Sequence, residues 1–338
     1  MPLHKPPQPT PMSGRSSGSA GFHPFGGRVS RHFGDSVSLT FIHQQEYHHS
    51  AFHPSNLHMS PPYMTTTTMQ RQCINRDPLP HIDISLMGDM SQLSPDDAYL
   101  SYYDVRLTRD DVDSIKGAWL TDNAICFWEE YLEREKLVHY PKANIVLLRP
   151  SMSFMLQKTQ NPLDIKSALP DFTKTTHVFL PINDARRVDM AEGGSHWSLL
   201  LVSVIDGVAF HYDSLDPSNY YEAELTARKI SQLLGKPLRF INLEDSPQQH
   251  NGMDCGVYVC LLMQHLLISK LLKAHAHDKI SMSMRGKEVD ARGGRKEIMR
   301  VIEARRKEGE RRRSRSYSPY SGNSKSPPRI GEEYREEL

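Results

Sequence analysis

The chain has 338 residues, a mean hydropathy of -0.55, and 41 Lys and Arg against 40 Asp and Glu. So even a balance argues against a strongly charged partner, nucleic acid included. Four cysteines (Cys73, Cys126, Cys255, Cys260) with no Cys-x-x-Cys pair exclude a disulfide framework and a standard zinc site.

Residues 1–95 are rich in Pro, Ser, Thr and His, with Pro6-Pro7, Pro61-Pro62 and the tract Thr65 to Thr68. Such a segment buries too little apolar surface to offset chain entropy, so a disordered tail is predicted. Its histidines (His43, His48, His49, His53, His58) follow no metal-site spacing and read as solvated. The first residues show no apolar signal-peptide core, and their prolines oppose a transit helix. No apolar run reaches the length of a membrane span. Together with reduced cysteines this points to the cytoplasm and/or nucleus.

A folded domain is expected over 96–280. Thr108 and the acids after it predict a capped helical turn. Asp122 to Lys136 reads as an amphipathic helix, and Ile145 to Leu148 as a short buried run. Pro150 to Ser153 reads as a helix start. Thr175 to Ile182 is a predicted strand. Trp197 to Val204 and Val208 to Asp213 read as an antiparallel pair. Tyr220 to Leu234 is a predicted helix stopped by Gly235, and Leu238 to Leu243 a short strand. The segment from Cys255 to Lys273 is apolar nearly all round, hence a buried helix. Residues 281–338 read as a charged Arg/Ser-rich tail, partly helical or disordered. Within it, Arg295 to Arg313 is expected to be solvent-exposed, and Ser318-Pro319 and Ser326-Pro327 are candidate phosphorylation sites.

The chemistry concentrates at Cys255, in the run Gln248 to Gly256. A thiol at a helix N-terminus is favoured as thiolate by the helix dipole. Gln249 places a side-chain amide where it could donate to a developing oxyanion, with the Cys255 backbone N–H. His196 opens one strand of the antiparallel pair and Asp213 closes the other, which makes a candidate Cys-His-Asp site. Gly256 would admit a substrate backbone at close range. The register sets a condition. A two-residue Asp206-Gly207 turn would put Asp213 opposite Leu200, about 13 Å along the strand from His196. The site therefore requires a wider loop starting near Val204, or a bulge with Gly207 left-handed. Taken singly, each of these residues has a plain structural reading, as a buried thiol, a strand-end histidine or a core aromatic. Their order on these elements is what favours catalysis.

From about Tyr99 to His275 the sequence resembles the Ulp/sentrin-specific cysteine proteases. The resemblance rests on Gly194 to Leu200, His211 to Ser214, Gln249 to Gly256, and Trp119-Leu120-Thr121-Asp122. Phe179 to Asp184, the loop ending Gly193-Gly194-Ser195-His196-Trp197, and Leu100 to Asp104 are similar to the deneddylase branch. The resemblance implies an α+β, papain-like (Ulp-type) domain: a small mixed sheet, a central nucleophile helix and disordered tails. It implies cleavage after the Gly-Gly C-terminus of a Nedd-type (Rub) ubiquitin-like modifier, for maturation or for deconjugation from targets such as cullins. It also implies no cofactor, no metal and no membrane or nucleic-acid partner, in a monomer. Trp119 and Trp197 would line a tunnel for the Gly-Gly tail, and Asp122 would hold its backbone or a nearby basic group. The loop from Asn183 to Gly194 would be a mobile flap with Gly193-Gly194 as hinge. Three positions depart from the pattern: Thr121 replaces Asn, His250 stands beside Gln249, and the flap carries Ala185-Arg186-Arg187-Val188-Asp189-Met190. The alternatives are a SUMO-specific protease, an acyltransferase on the same triad, and a modifier-binding protein without catalysis.

Overall fold

The computed structural model describes residues 93–188, 193–275, 278–315 and 326–331. The tail expected over 1–95 lies outside the described residues as far as 92, and so do Ser318-Pro319 and the flap residues 189–192. β1 (Ala98–Tyr102) and β2 (Val105–Thr108) pair antiparallel. Thr108 then caps α1 (Arg109–Gly117): its hydroxyl accepts from the Asp111 N–H, and the Asp111 carboxylate accepts from the Thr108 N–H. Thr121 caps α2 (Asp122–Glu135) by accepting from the Ala124 N–H. The same hydroxyl donates to Asp111 at 2.6 Å, so the Thr121 substitution keeps a cap and joins two helix starts.

β3 (Ile145–Leu147), α3 (Pro150–Lys158), β4 (His177–Asn183), β5 (Trp197–Ser203) and β6 (Val208–Tyr212) follow. α4 (Tyr220–Leu234) ends at Gly235, whose φ of 61° is the left-handed stop expected there. β7 (Arg239–Asn242) precedes α5 (Cys255–Gln264), and α6 (Ala291–Arg315) and β8 (Arg329–Ile330) complete the chain. The helix expected from Cys255 to Lys273 runs without a break to Leu271 but changes type: from His265 to Leu271 it is π-helical.

The main sheet has the order β3-β4-β5-β6-β7, with antiparallel centre pairs and parallel outer pairs. Side chains alternate between its faces. Phe179, Leu199, Leu201 and Tyr212 pack with α2, α5 and α6. Val178, Leu180, Ile182, Leu200, Val202 and Ala209 pack with α4 and Leu156 of α3. Because both faces are covered, β4 and β5 read as near-continuous apolar runs. α5 is the central helix: Val257, Val259, Cys260, Leu262 and Met263 are buried, and Trp128 Nε1 donates to the Cys260 carbonyl at 3.1 Å.

The segment from 281 differs from its expectation. α6 is not a solvated helix. Ile298, Met299, Val301 and Ile302 are buried in the same core as α2 and α5. Glu303 is buried and accepts from the Tyr99 hydroxyl. The apolar residues recur at helical spacing but are outnumbered by Arg, Lys and Glu, so composition hid the stripe. β8 then pairs parallel with β1, Ser101 opposite Arg329 and Tyr102 opposite Ile330. The folded unit therefore continues past 280 to the end of the described residues at Gly331.

Candidate active site

The β5–β6 loop meets the register condition. Ser203 pairs with Val208, so the connection is Val204 to Gly207, and Gly207 takes a φ of 64°. Leu199 pairs with Tyr212, which sets Asp213 one step beyond the ladder, across from Ser198. His196 lies two positions further on the same face, a diagonal neighbour within side-chain reach. Its Nε2 meets Asp213 Oδ1 at 2.6 Å. Asp213 is otherwise held by backbone: the Leu215 N–H donates to Oδ1 and the Asn219 N–H to Oδ2, both at 2.9 Å. Burial alone would raise the Asp213 carboxyl. The bond to His196, its charge and the two N–H donors outweigh that and hold it below the usual range.

His196 is 5 % exposed and Cys255 1 %. Burial pulls the imidazole down, but hydrogen bonds to Asp213 and Cys255 and the charges of both push it up to about 9. With Nε2 on Asp213, Nδ1 is the nitrogen left for the sulfur. Cys255 is the first residue of α5, as predicted. Burial pushes Cys126 up to about 12 and Cys260 further still, so both stay protonated thiols.

Gln249 is buried beside this pair. Its Oε1 accepts from the Ser214 hydroxyl at 2.8 Å, and its Nε2 donates to the Asn251 carbonyl at 2.6 Å. The hydroxyl fixes which way the amide points. An amide nitrogen has two hydrogens, so one donor remains beyond Asn251.

Trp119 and Trp197 are half-buried. Trp119 Nε1 donates to the Gly252 carbonyl, three residues before the cysteine. Trp197 follows His196 directly and pairs with Asn183 across the sheet. Asp122 is exposed at the start of α2, where it accepts from the Asn123 N–H at 2.9 Å.

Gly256 and Asn183, both candidate substrate-binding residues, are engaged within the fold. Gly256 is buried, and a Cβ there would stand 2.8 Å from Leu120 Cβ. Its missing side chain lets α5 approach the segment before α2. Asn183 has its amide committed: Oδ1 accepts from Ala185 N–H at 2.8 Å and Nδ2 donates to the His196 carbonyl at 3.3 Å. It clamps the neck of the flap.

Several contributors carry no sequence signature. Asp184 accepts from the N–H groups of Ser195 and His196 at 2.6 and 2.9 Å. The fully buried Asn219 donates to the carbonyls of Ile182 and His196. Both act through backbone atoms remote in sequence, which no spacing rule announces. A helix-start position is the one available signal for Asn219. Among the described residues no His/Cys/Asp/Glu group is arranged to hold a metal, and no helix is long and apolar enough to cross a membrane.

Comparisons with known proteins identify the family. The chain is 39% identical over 209 residues to NEDD8-specific protease 2 of Schizosaccharomyces pombe, covering 60% of this chain and 50% of that one. It is 36% identical over 180 residues to NEDD8-specific protease 1 of the same yeast, covering 52% and 43%. Human sentrin-specific protease 8 is 35% identical over 170 residues, covering 48% and 78%. The chain thus spans half or less of the two yeast relatives. Residues 118–291 match the Ulp1 protease family, C-terminal catalytic domain. With its Cys-His-Asp cluster on the elements described, the chain belongs to the Ulp1 protease family.

Proposed function

We propose that this chain is a thiol isopeptidase that cleaves after the Gly-Gly C-terminus of a NEDD8-type ubiquitin-like modifier, in conjugates, precursors or both. The observation that carries the chemistry is the buried His196 ring, bonded to Asp213 through Nε2, in a site whose thiol, Cys255, opens α5. The names of the yeast relatives support the choice of modifier.

His196 takes the Cys255 thiol proton, and the sulfur attacks the C-terminal glycine carbonyl carbon. The oxyanion is received by Gln249 Nε2 and the Cys255 N–H. On collapse the C–N bond breaks, His196 returns the proton to the leaving amine, and a thioester remains. Water, deprotonated by His196, then hydrolyses the thioester to free the modifier and the thiol. Trp119 and Trp197 flank the approach to Cys255, and flat indoles suit a tail without side chains. Asp122 stands at the rim to meet the tail's backbone or a basic group. Cullin-type conjugates in cytoplasm or nucleus are the targets we assign by family resemblance, with the enzyme acting as a monomer.

The full chain and its Cys255→Ala variant are to be offered C-terminal fluorogenic derivatives of NEDD8, SUMO and ubiquitin. Cys255-dependent turnover led by NEDD8 is expected. SUMO leading would keep the mechanism and overturn the substrate, and no turnover of any of the three would overturn the activity.

A further inference from the structure

We propose that Arg295 is a positioning residue: it holds the Asp254 carboxylate off the N-terminus of α5 and so keeps the backbone donors beside Cys255 open for the oxyanion. This deepens, and rests on, the isopeptidase reading. Asp254 immediately precedes the helix, where an Asp side chain ordinarily folds back onto the first N–H groups. The positive end of the helix dipole strengthens that pull. Here α5 has no side-chain cap. Both carboxylate oxygens are turned elsewhere. Oδ1 accepts from Arg295 Nε at 2.9 Å and lies 2.8 Å from Nη2 as an ion pair, and Oδ2 accepts from Asn251 Nδ2 at 2.7 Å.

Arg295 is itself rigidly placed. It is buried, with Nη1 donating to the carbonyls of Ser114 and Ile115, both at 3.1 Å. Nη2 donates to Ala118 at 2.8 Å and Met253 at 3.0 Å. One guanidinium therefore joins the end of α1, the residue before Trp119, and the two residues before the nucleophile. Only a planar fork with several fixed donors can do this, so Lys is no substitute. The residue comes from α6, beyond the end of the family match at residue 291. A carboxylate released from Arg295 would take the N–H groups that the oxyanion needs. It would also bring negative charge to the sulfur and disfavour the thiolate.

The test is a cycle in the full chain: Arg295→Gln, Arg295→Lys, Asp254→Ala and the Arg295→Gln/Asp254→Ala pair. One readout is kcat and KM on the fluorogenic NEDD8 derivative. The other, which needs no substrate, is the rate at which iodoacetamide alkylates Cys255 at neutral pH, followed on its own peptide. Arg295→Gln is expected to lower kcat about ten- to a hundred-fold with KM nearly unchanged, and to slow alkylation. Arg295→Lys should not rescue. The double variant should recover about tenfold in kcat over Arg295→Gln, because no carboxylate is left to fold back. A double variant as slow as Arg295→Gln in both readouts would reduce Arg295 to a packing residue. Should Arg295→Gln fail to fold, Arg295→Lys with and without Asp254→Ala makes the same comparison. If the wild-type chain cleaves no modifier, the isopeptidase reading falls. Alkylation slowed by Arg295→Gln and restored in the double variant would still uphold the restraint on Asp254, and unaltered alkylation would overturn it.

Discussion

His196 is buried, and its hydrogen bonds to Asp213 and Cys255, with their charges, outweigh the effect of burial on its protonation. Its folded-state pKa, about 9, lies above its ordinary value of 6.5. Proton binding therefore favours the fold. That contribution is complete below about 6.5, and it is lost as pH rises through about 9, at about 1.4 kcal/mol for each unit of separation. Urea unfolding of the wild type should show stability declining between pH 6.5 and 9, with the decline much reduced in Asp213→Asn. Histidine NMR should place the His196 titration of Cys255→Ala below that of the wild type, since one of the raising partners is gone. An equal titration in the two chains would mean that the sulfur is not bonded to the ring. At this scale Cys255, His196, Asp213 and Gln249 were legible, because each is fixed by an interval along the chain or a helix start. Asp184, Asn219 and Arg295 were not. They act on backbone carbonyls and N–H groups contributed by distant segments, and a backbone atom leaves no mark in a sequence.

Among the elements, the β5–β6 hairpin was read with the right strands and with the right condition on its loop. The four-residue connection with left-handed Gly207 is what brings the diagonal pair within reach. The fastening at Asn183 and Gly194, at the neck of the expected flap, was not read from the sequence. A Cβ on Gly194 would overlap Asn183 Oδ1, so the amide that fastens Ala185 and His196 would have to swing out. Gly194→Ala should therefore lower kcat/KM about ten- to a hundred-fold, with the thermal midpoint barely moved, because Asn183 and Gly194 themselves are only half-buried. A large fall in the midpoint with normal activity would refute the clamp. Gly256→Ala should behave in the opposite proportion. Its new methyl meets Leu120 Cβ, an atom next to the backbone that cannot turn aside. A loss of about 1–3 kcal/mol in denaturant unfolding is expected from such overpacking. The sequence reading gave Gly256 to the substrate because glycines beside nucleophiles often serve that purpose. Helix packing makes the same demand, and only the third dimension separates the two.

For the molecule as a whole, the main surprise is that the charged C-terminal segment is core. Four buried apolar side chains of α6, at about 1.5–3 kcal/mol each, are comparable with the whole net stability of a domain, about 5–15 kcal/mol. A chain ending at residue 285 should thus show no cooperative thermal transition by circular dichroism. A chain covering 93–331 should melt as the full protein does, and a shorter chain that melted cooperatively would contradict this account of α6. The error arose because average composition decided the reading where periodicity should have. Yet the central sheet, with its plain apolar runs, was legible throughout. The pairing of β8 with β1 has a consequence for how the molecule comes into being. The first strand of the domain is completed by the last, Tyr102 beside Ile330. On a ribosome, where synthesis proceeds from the N-terminus, β1 must wait with one edge open while everything between is made. Translation thereby acts as a clock: until residue 330 has emerged, the growing chain cannot close its own fold.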